Sequence, residues 1–124
     1  MSSRALVVDA DLNLQVLLKV LLARAGYTVD FAADGVEGLQ KLLAGIYDAI
    51  LLELLLPSLS GVDVLVRLER ERPHLMPHII VVSVAQERLL QKARQFPVHA
   101  VIRKPFDVAD LLGVVRSCPA TIFG

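Results

Sequence analysis

Five polar side chains of the 124-residue chain stand where short apolar runs end. They are Asp9 and Asp11 after ALVV, Glu53 within DAILLEL, Ser83 after HIIVV, and Lys104, directly before Pro105, shortly after AVI. Brought to one place, such a set does charge chemistry: carboxylates hold cations, while an ammonium and a hydroxyl hold anionic oxygens. It does not make a nucleophilic hydrolase, because nothing in the sequence places a histidine beside Ser83. A nucleotide or flavin site wants a glycine-rich loop after the first apolar run, and DADLN contains no glycine. His74, His78 and His99 lack metal-ligand spacing and read as ordinary loop or strand-end residues. Cys118, the sole cysteine, leaves neither an intramolecular disulfide nor a cysteine-based zinc site, and reads as an incidental thiol.

The elements that must position these side chains follow from periodicity. Ala5 to Val8 reads as a buried strand. Leu14, Leu17, Leu18, Leu21 and Ala25 recur at helical spacing as a core face, with Asp11 as N-cap and Gly26 as the stop. Tyr27 to Ala32 is a second strand. After the Asp34-Gly35 turn, Val36, Leu39, Leu42 and Leu43 make a second helix, closed near Gly45. Asp48 to Leu54 is the third and most apolar strand, expected at the centre. Leu55 to Gly61 is a loop; Val62, Leu65, Val66 and Leu68 form a third helix that ends before Pro73. His78 to Val82, Gln86 to Phe96 and Ala100 to Ile102 are strand, helix and short strand. Val108, Leu111, Leu112 and Val115 mark the last helix, and Ser117 to Gly124 is a tail expected to fray or pack loosely.

Five strands alternating with five helices predict a parallel sheet covered on both faces. For this length the expected fold is α/β, a flavodoxin-like doubly wound sheet in the order 2-1-3-4-5. In such a sheet ligands bind beyond the carboxyl ends of the strands, where Asp9, Ala10, Asp11, Glu53, Ser83 and Lys104 are delivered. Composition agrees with one globular domain: 55% of residues are apolar and 21% charged. Thirteen basic residues balance thirteen acidic ones, against a general nucleic-acid binder. No apolar run approaches the ~18 residues of a membrane span. The N-terminus lacks a signal-peptide core. A soluble, cytoplasmic domain is the expectation.

At these residues the chain resembles the receiver domain of bacterial two-component response regulators. The matching stretches are LVVDAD, AGYTVDFAADGVEGL, DAILLELLLPSLSG, IIVVS and KPF, so the receiver-like domain runs from residue 4 to 116. The resemblance implies a phosphoryl group taken from a histidine kinase onto an Asp at the end of strand 3. It further implies an acidic pair after strand 1 that holds Mg²⁺, a hydroxyl after strand 4 that bonds the phosphoryl oxygen, and a Lys-Pro step, often cis, whose lysine pairs with it. An aromatic residue on strand 5 commonly changes rotamer on activation. Asp9, Ser83, Lys104 and Pro105 match. The phospho-acceptor position holds Glu53, the second acid of the pair is Ala10, the switch-aromatic position is Val101, and Val84 stands where a smaller residue is frequent.

These departures have physical consequences. Mg²⁺ needs near-octahedral oxygen ligation, and Ala10 removes one carboxylate. Asp9 and Glu53 remain, with Asp11 only if it turns inward, so Mg²⁺ binding is expected to be weak at best. No other cofactor is expected. Glu53 is one methylene longer than Asp, placing its carboxylate roughly 1.5 Å further out. Phosphoryl transfer depends on positioning, so ordinary phosphorylation is expected to be lost. A Glu53–Lys104 ion pair would hold the site in one state without phosphate; decay of the position without mimicry is the alternative. Ser83 either serves this site or merely bonds backbone.

Two surfaces suggest partners. Leu12, Val16 and Val20 fall on a side of the first helix away from its core face, for contact with a partner helix or a second copy; ordinary scattered surface aliphatics are the alternative. Arg88, Gln91, Lys92 and Gln95 on the fourth helix and Asp107, Asp110 and Arg116 on the fifth suggest a homodimer face. The expected partner is a histidine kinase or another signalling protein, with neither nucleic acid nor membrane. The alternatives are a phosphorylatable receiver with an unorthodox site, and a receiver fragment of a longer transcriptional regulator. Catalysis in its own right is not expected.

Overall fold

The computed structural model describes residues 3–120. The predicted alternation is realised as β1 (Ser3–Val8), α1 (Leu12–Arg24), β2 (Tyr27–Ala32), α2 (Gly35–Ala44), β3 (Ala49–Leu52), α3 (Gly61–Glu71), β4 (Ile79–Ser83), α4 (Glu87–Arg94), β5 (Ala100–Arg103) and α5 (Val108–Arg116). The five strands are parallel in the order β2-β1-β3-β4-β5. The fold is therefore the expected flavodoxin-like one. The central strands β3 and β4 are buried along their whole length, which is why they read as continuous apolar runs.

Strand alternation divides the core into two layers. Leu6, Val8, Ile50, Leu52, Ile79 and Val81 face α2, α3 and α4. Ala5, Val7, Ala49, Leu51, Ile80 and Val82 face α1 and α5. Because all five strands are parallel, their carboxyl ends share one edge of the sheet, and that shared direction brings Asp9, Glu53, Ser83 and Lys104 to one end.

Several details differ from the sequence reading. Pro73–His78 forms a 3₁₀ turn, so His78 precedes β4 instead of opening it. In α1 the buried residues are Leu18 and Leu22, and Leu17 is 45% exposed. Leu17 lies about 100° round the helix from Leu18, too far from the sheet to share its layer. Val36 and Val66 are likewise exposed; α2 packs through Gly35, Gly38, Leu39 and Leu42, and α3 through Gly61, Val64, Leu65 and Leu68. Leu39, Leu42, Leu65 and Leu68 are buried as their spacing predicts, while the glycines that complete these faces carry no periodicity signal. At the tail, Ser117 closes α5 and its hydroxyl donates to the Val114 carbonyl (2.8 Å), so this part is tied down by its own bonds. Residues 121–124 of the expected loose tail lie outside the described residues.

The amino ends of the strands are fastened by polar contacts. The Arg4 guanidinium donates to Asp30 (2.8 Å) and lies 4.8 Å above the Tyr47 ring, whose hydroxyl also donates to Asp30 (3.0 Å). The Arg4 N–H donates to the Asp48 carboxylate (2.8 Å), and His78 Nδ1 meets the Asp48 carbonyl (2.9 Å). Arg72 donates to the carbonyls of Leu42 and Gly45, each at 2.7 Å, joining the ends of α2 and α3.

Among the glycines that geometry requires, Gly35 starts α2 where an added Cβ would lie 1.8 Å from the Leu59 carbonyl oxygen, and two others bear on the turn after α1 and on the site. Gly26 turns α1 into β2 with φ +99°. Gly61 begins α3 so close to β3 that an added Cβ would lie 2.4 Å from the Glu53 carbonyl oxygen and 2.6 Å from Leu54 Cα. Both neighbours are backbone and cannot rotate away. Gly61→Ala is expected to cost roughly 1–3 kcal/mol in urea unfolding. Gly113→Ala, where a Cβ meets nothing within 4 Å, is expected to gain up to ~1 kcal/mol from helix propensity.

Candidate functional site

The four polar residues meet beyond the carboxyl ends of β1, β3, β4 and β5. Each is delivered by backbone pairing that continues past its strand. The Asp9 N–H donates to the Ala32 carbonyl (3.0 Å), the Glu53 N–H to the Val8 carbonyl (3.0 Å), and the Lys104 N–H to the Ser83 carbonyl (2.9 Å). Asp9, Glu53 and Ser83 are buried. The Lys104 ammonium sits between two acids, 2.6 Å from Asp9 Oδ2 and 2.9 Å from Glu53 Oε2. The Lys104-Pro105 bond is cis, as the resemblance implied.

The Glu53 carboxylate is enclosed by donors. Oε1 accepts from the N–H groups of Leu54 (2.7 Å) and Leu55 (3.1 Å) and from the Ser83 hydroxyl. Oε2 accepts from the Val84 N–H (3.3 Å) and pairs with Lys104. Ser83 also accepts the Ala85 N–H (3.0 Å), so its hydroxyl serves both the site and the backbone. Burial pushes the Glu53 carboxyl upward, but Ser83, the Leu55 N–H and Lys104 outweigh it and hold the group below the usual glutamate range. For Lys104, burial opposes the charge, and the hydrogen bonds and attraction of Asp9 and Glu53 raise it above the usual lysine range. Both groups are charged at neutral pH.

This donor set does not fit a divalent cation. Ala10 offers no oxygen. Asp9 Oδ1 accepts the Asp11 N–H (2.9 Å), and Asp9 Oδ2 faces the ammonium. Both Glu53 oxygens are already engaged. Asp11 does not turn inward: its Oδ1 accepts from the N–H groups of Asn13 (3.0 Å) and Leu14 (3.2 Å), capping α1. Among the described residues, no group of three or more His, Cys, Asp or Glu side chains is arranged to hold a metal ion.

Val101 is half-buried against the layer under α2, α3 and α4. Val84 is 60% exposed beside the site. On α1 the side opposite the sheet is apolar: Leu12 is 69% exposed, Val16 66% and Val20 45%. Among the other residues read from the sequence, His99 Nε2 lies 3.0 Å from the Val114 carbonyl and 2.8 Å from Ser117 Oγ, a packing role. Burial pushes the Cys118 thiol to about 11, so it stays protonated and unreactive at neutral pH. The sequence reading missed the Leu54, Leu55 and Val84 N–H donors, which carry no side-chain signature. It also missed Asp9 as a second partner of Lys104.

Comparison with known proteins agrees with this geometry. Residues 5–116 match the response regulator receiver domain. The transcriptional regulatory protein DltR of Streptococcus agalactiae is 36% identical over 113 residues, covering 91% of this chain and 50% of that protein. The response regulator ArlR of Staphylococcus aureus is 30% identical over 115 residues, covering 93% of this chain and 52% of that one. The chain thus spans about half the length of these relatives. Among solved structures, a CheY-like receiver domain protein from Methanospirillum hungatei superposes with a TM-score of 0.85 at 28% identity, covering 94% of this chain and 92% of that one. The response regulator TrrA of Thermotoga maritima, solved in complex with Mg²⁺ and BeF, superposes at 0.82 with 27% identity, covering 94% and 99%. Among the described residues, no helix is long and apolar enough to cross a membrane.

The charge arrangement sets a pH dependence. A depressed Glu53 stabilises the fold above the ordinary glutamate value of about 4.3, and that contribution is lost as pH falls through the lower folded value. Lys104, raised, contributes below about 10.4 and loses its contribution only as pH climbs through its higher folded value. Lys104→Met is expected to destabilise by ~3–5 kcal/mol at pH 7, because Asp9 and Glu53 are left facing each other. Without the ammonium the Glu53 carboxyl is no longer held as low, so this variant should lose less stability than the parent as pH falls through the glutamate range. Urea titrations across pH test both slopes.

Proposed function

The chain belongs to the response regulator receiver domain family, and on that premise we propose that it is a pseudo-receiver. Its site carries a permanent carboxylate where others carry a transferable phosphoryl group. The observation that carries this reading is the seating of Glu53. Its two oxygens already take the Ser83 hydroxyl, the Val84 N–H and the Lys104 ammonium. Those are the hydroxyl and lysine that the family resemblance assigns to a phosphoryl group. The full complement of partners favours mimicry over mere decay, since a decayed position would leave donors of a buried site unmatched.

The chemistry of an ordinary receiver is disabled at the same place. An in-line attack needs an acceptor oxygen aimed at the donor, and both Glu53 oxygens are tied down by hydrogen bonds. The metal that would neutralise charge in that step lacks the Ala10 ligand. With Val101 on β5 there is no ring to swing, so the usual read-out is missing too. The protein then acts as a signalling module that docks partners in one conformation, not as an enzyme. The partner class is a histidine kinase or another signalling protein. The exposed Leu12, Val16 and Val20 stripe supplies a surface for a partner helix or a second copy. The acidic and basic residues of α4 and α5 offer a second homodimer face. DltR is a transcriptional regulatory protein about twice the length of the matched region, and a receiver part of such a regulator is the second reading.

Incubation with acetyl phosphate and Mg²⁺ followed by intact-mass measurement is expected to show no phosphoryl gain. Glu53→Asp combined with Ala10→Asp is expected to restore the phosphoryl gain. A phosphoryl adduct on the unaltered chain would refute the reading. Val16→Lys with Val20→Lys is expected to abolish a complex formed through α1 while leaving the circular dichroism melt unchanged. Association that persists in the double variant assigns the stripe no role.

A further inference from the structure

Glu53 does more than fill its own site: its two oxygens join the two loops that flank it. Oε1 holds the Leu55 N–H at the start of the β3–α3 loop, and Oε2 holds the Val84 N–H in the β4–α4 loop. Between these loops and α4 lies an open groove of about 360 Å³, lined by Leu55, Gln86, Arg88, Leu89 and Lys92. That volume falls within the ~300–1,000 Å³ typical of small binding sites. Leu55 is 54% exposed and presents its apolar side chain to this groove.

The groove is selective in charge. Arg94 and Arg103 share the single carboxylate of Glu87. Arg88 and Lys92, one turn apart on α4, have no ion-pair or hydrogen-bond partner among the described residues. Gln86 starts the helix without a side-chain cap, and Glu87 in the first turn offsets the partial positive charge there, so the charge of the groove is that of Arg88 and Lys92. In a chain of zero net charge, this leaves an apolar floor rimmed by free positive charge.

We propose that this groove docks an acidic peptide segment bearing an apolar side chain, with the apolar group against Leu55 and Leu89 and the carboxylates on Arg88 and Lys92. The proposal rests on the pseudo-receiver reading only for its permanence: Glu53 keeps both walls in place without a phosphoryl group. Its chemistry is that of the groove alone. Burial of the apolar anchor supplies affinity, and the rim charges supply selectivity and rate.

The test is fluorescence anisotropy of a labelled peptide of alternating Glu and Leu, titrated with the full chain. Parallel titrations use the same peptide with Lys for Glu and with Ser for Leu. The parent peptide is expected to bind saturably, and both altered peptides about tenfold or more weaker. Arg88→Glu with Lys92→Glu is expected to weaken binding by a similar factor. Lys19→Glu with Arg70→Glu, equal in net charge but distant from the groove, should leave it unchanged. Backbone amide shifts of the unaltered chain should move at Leu55, Arg88, Leu89 and Lys92, a readout that needs no variant to fold. Absence of saturation, equal binding of the lysine peptide, or shifts confined to α1 would overturn the proposal. Binding lost in Glu53→Ala but retained in Arg88→Glu with Lys92→Glu also overturns it. Binding lost in the charge-reversed variant and untouched by Glu53→Ala upholds the groove and overturns Glu53 as its clamp.

Discussion

One ammonium shared by two buried carboxylates is the constraint on which the rest of the site depends. Asp9 and Glu53 lie within 2.9 Å of the same Lys104 nitrogen. In water such contacts are weak, but at a buried site the same charges interact far more strongly and are costlier to leave alone. One positive charge cannot neutralise two negative ones. The remainder is met by dipoles: the Asp11 N–H on Asp9, and three N–H groups and a hydroxyl on Glu53. Attraction and desolvation nearly cancel in such clusters, so their main product is specificity of arrangement. Here the arrangement is a glutamate locked into one orientation.

That orientation follows from the scaffold. Parallel strands end at the same edge, so β1, β3, β4 and β5 each deliver one polar side chain at or just past their last residues. The Glu53 side chain carries its carboxylate to Ser83, Val84 and Lys104 together. Removal of a carboxylate at Ala10 belongs to the same balance, because a third acid here would leave the cluster doubly uncompensated without a metal.

Much of this was legible in the residues. The alternation of strands and helices, the gathering of Asp9, Glu53, Ser83 and Lys104, and the Glu53–Lys104 pair follow from apolar runs, their polar ends and family-like motifs; the strand order rests on what is common for a chain of this length. Asp11 read correctly as a cap because Asp before an apolar helical stripe offers the oxygen that the first N–H groups lack. What escaped has physical reasons. Gly35, Gly38 and Gly61 form part of the buried helix faces, and a residue without a side chain leaves no trace in a hydrophobic pattern. Leu17 was assigned to the core because leucines fill nearly every turn of α1, and a helix apolar on both sides has no unique inward face. The 3₁₀ turn at Pro73–His78 hides among prolines and histidines that look like loop. Backbone donors to Glu53 are invisible until the loops are placed.

The far end of the sheet bears on all of this. Arg4, Asp30, Tyr47, Asp48, His78 and Arg72 fasten the strand starts and the ends of α2 and α3 to one another. The strands between are paired along their length, so what fastens their starts also fixes the angle at which the β3–α3 and β4–α4 loops leave the opposite edge, where a single glutamate bridges them.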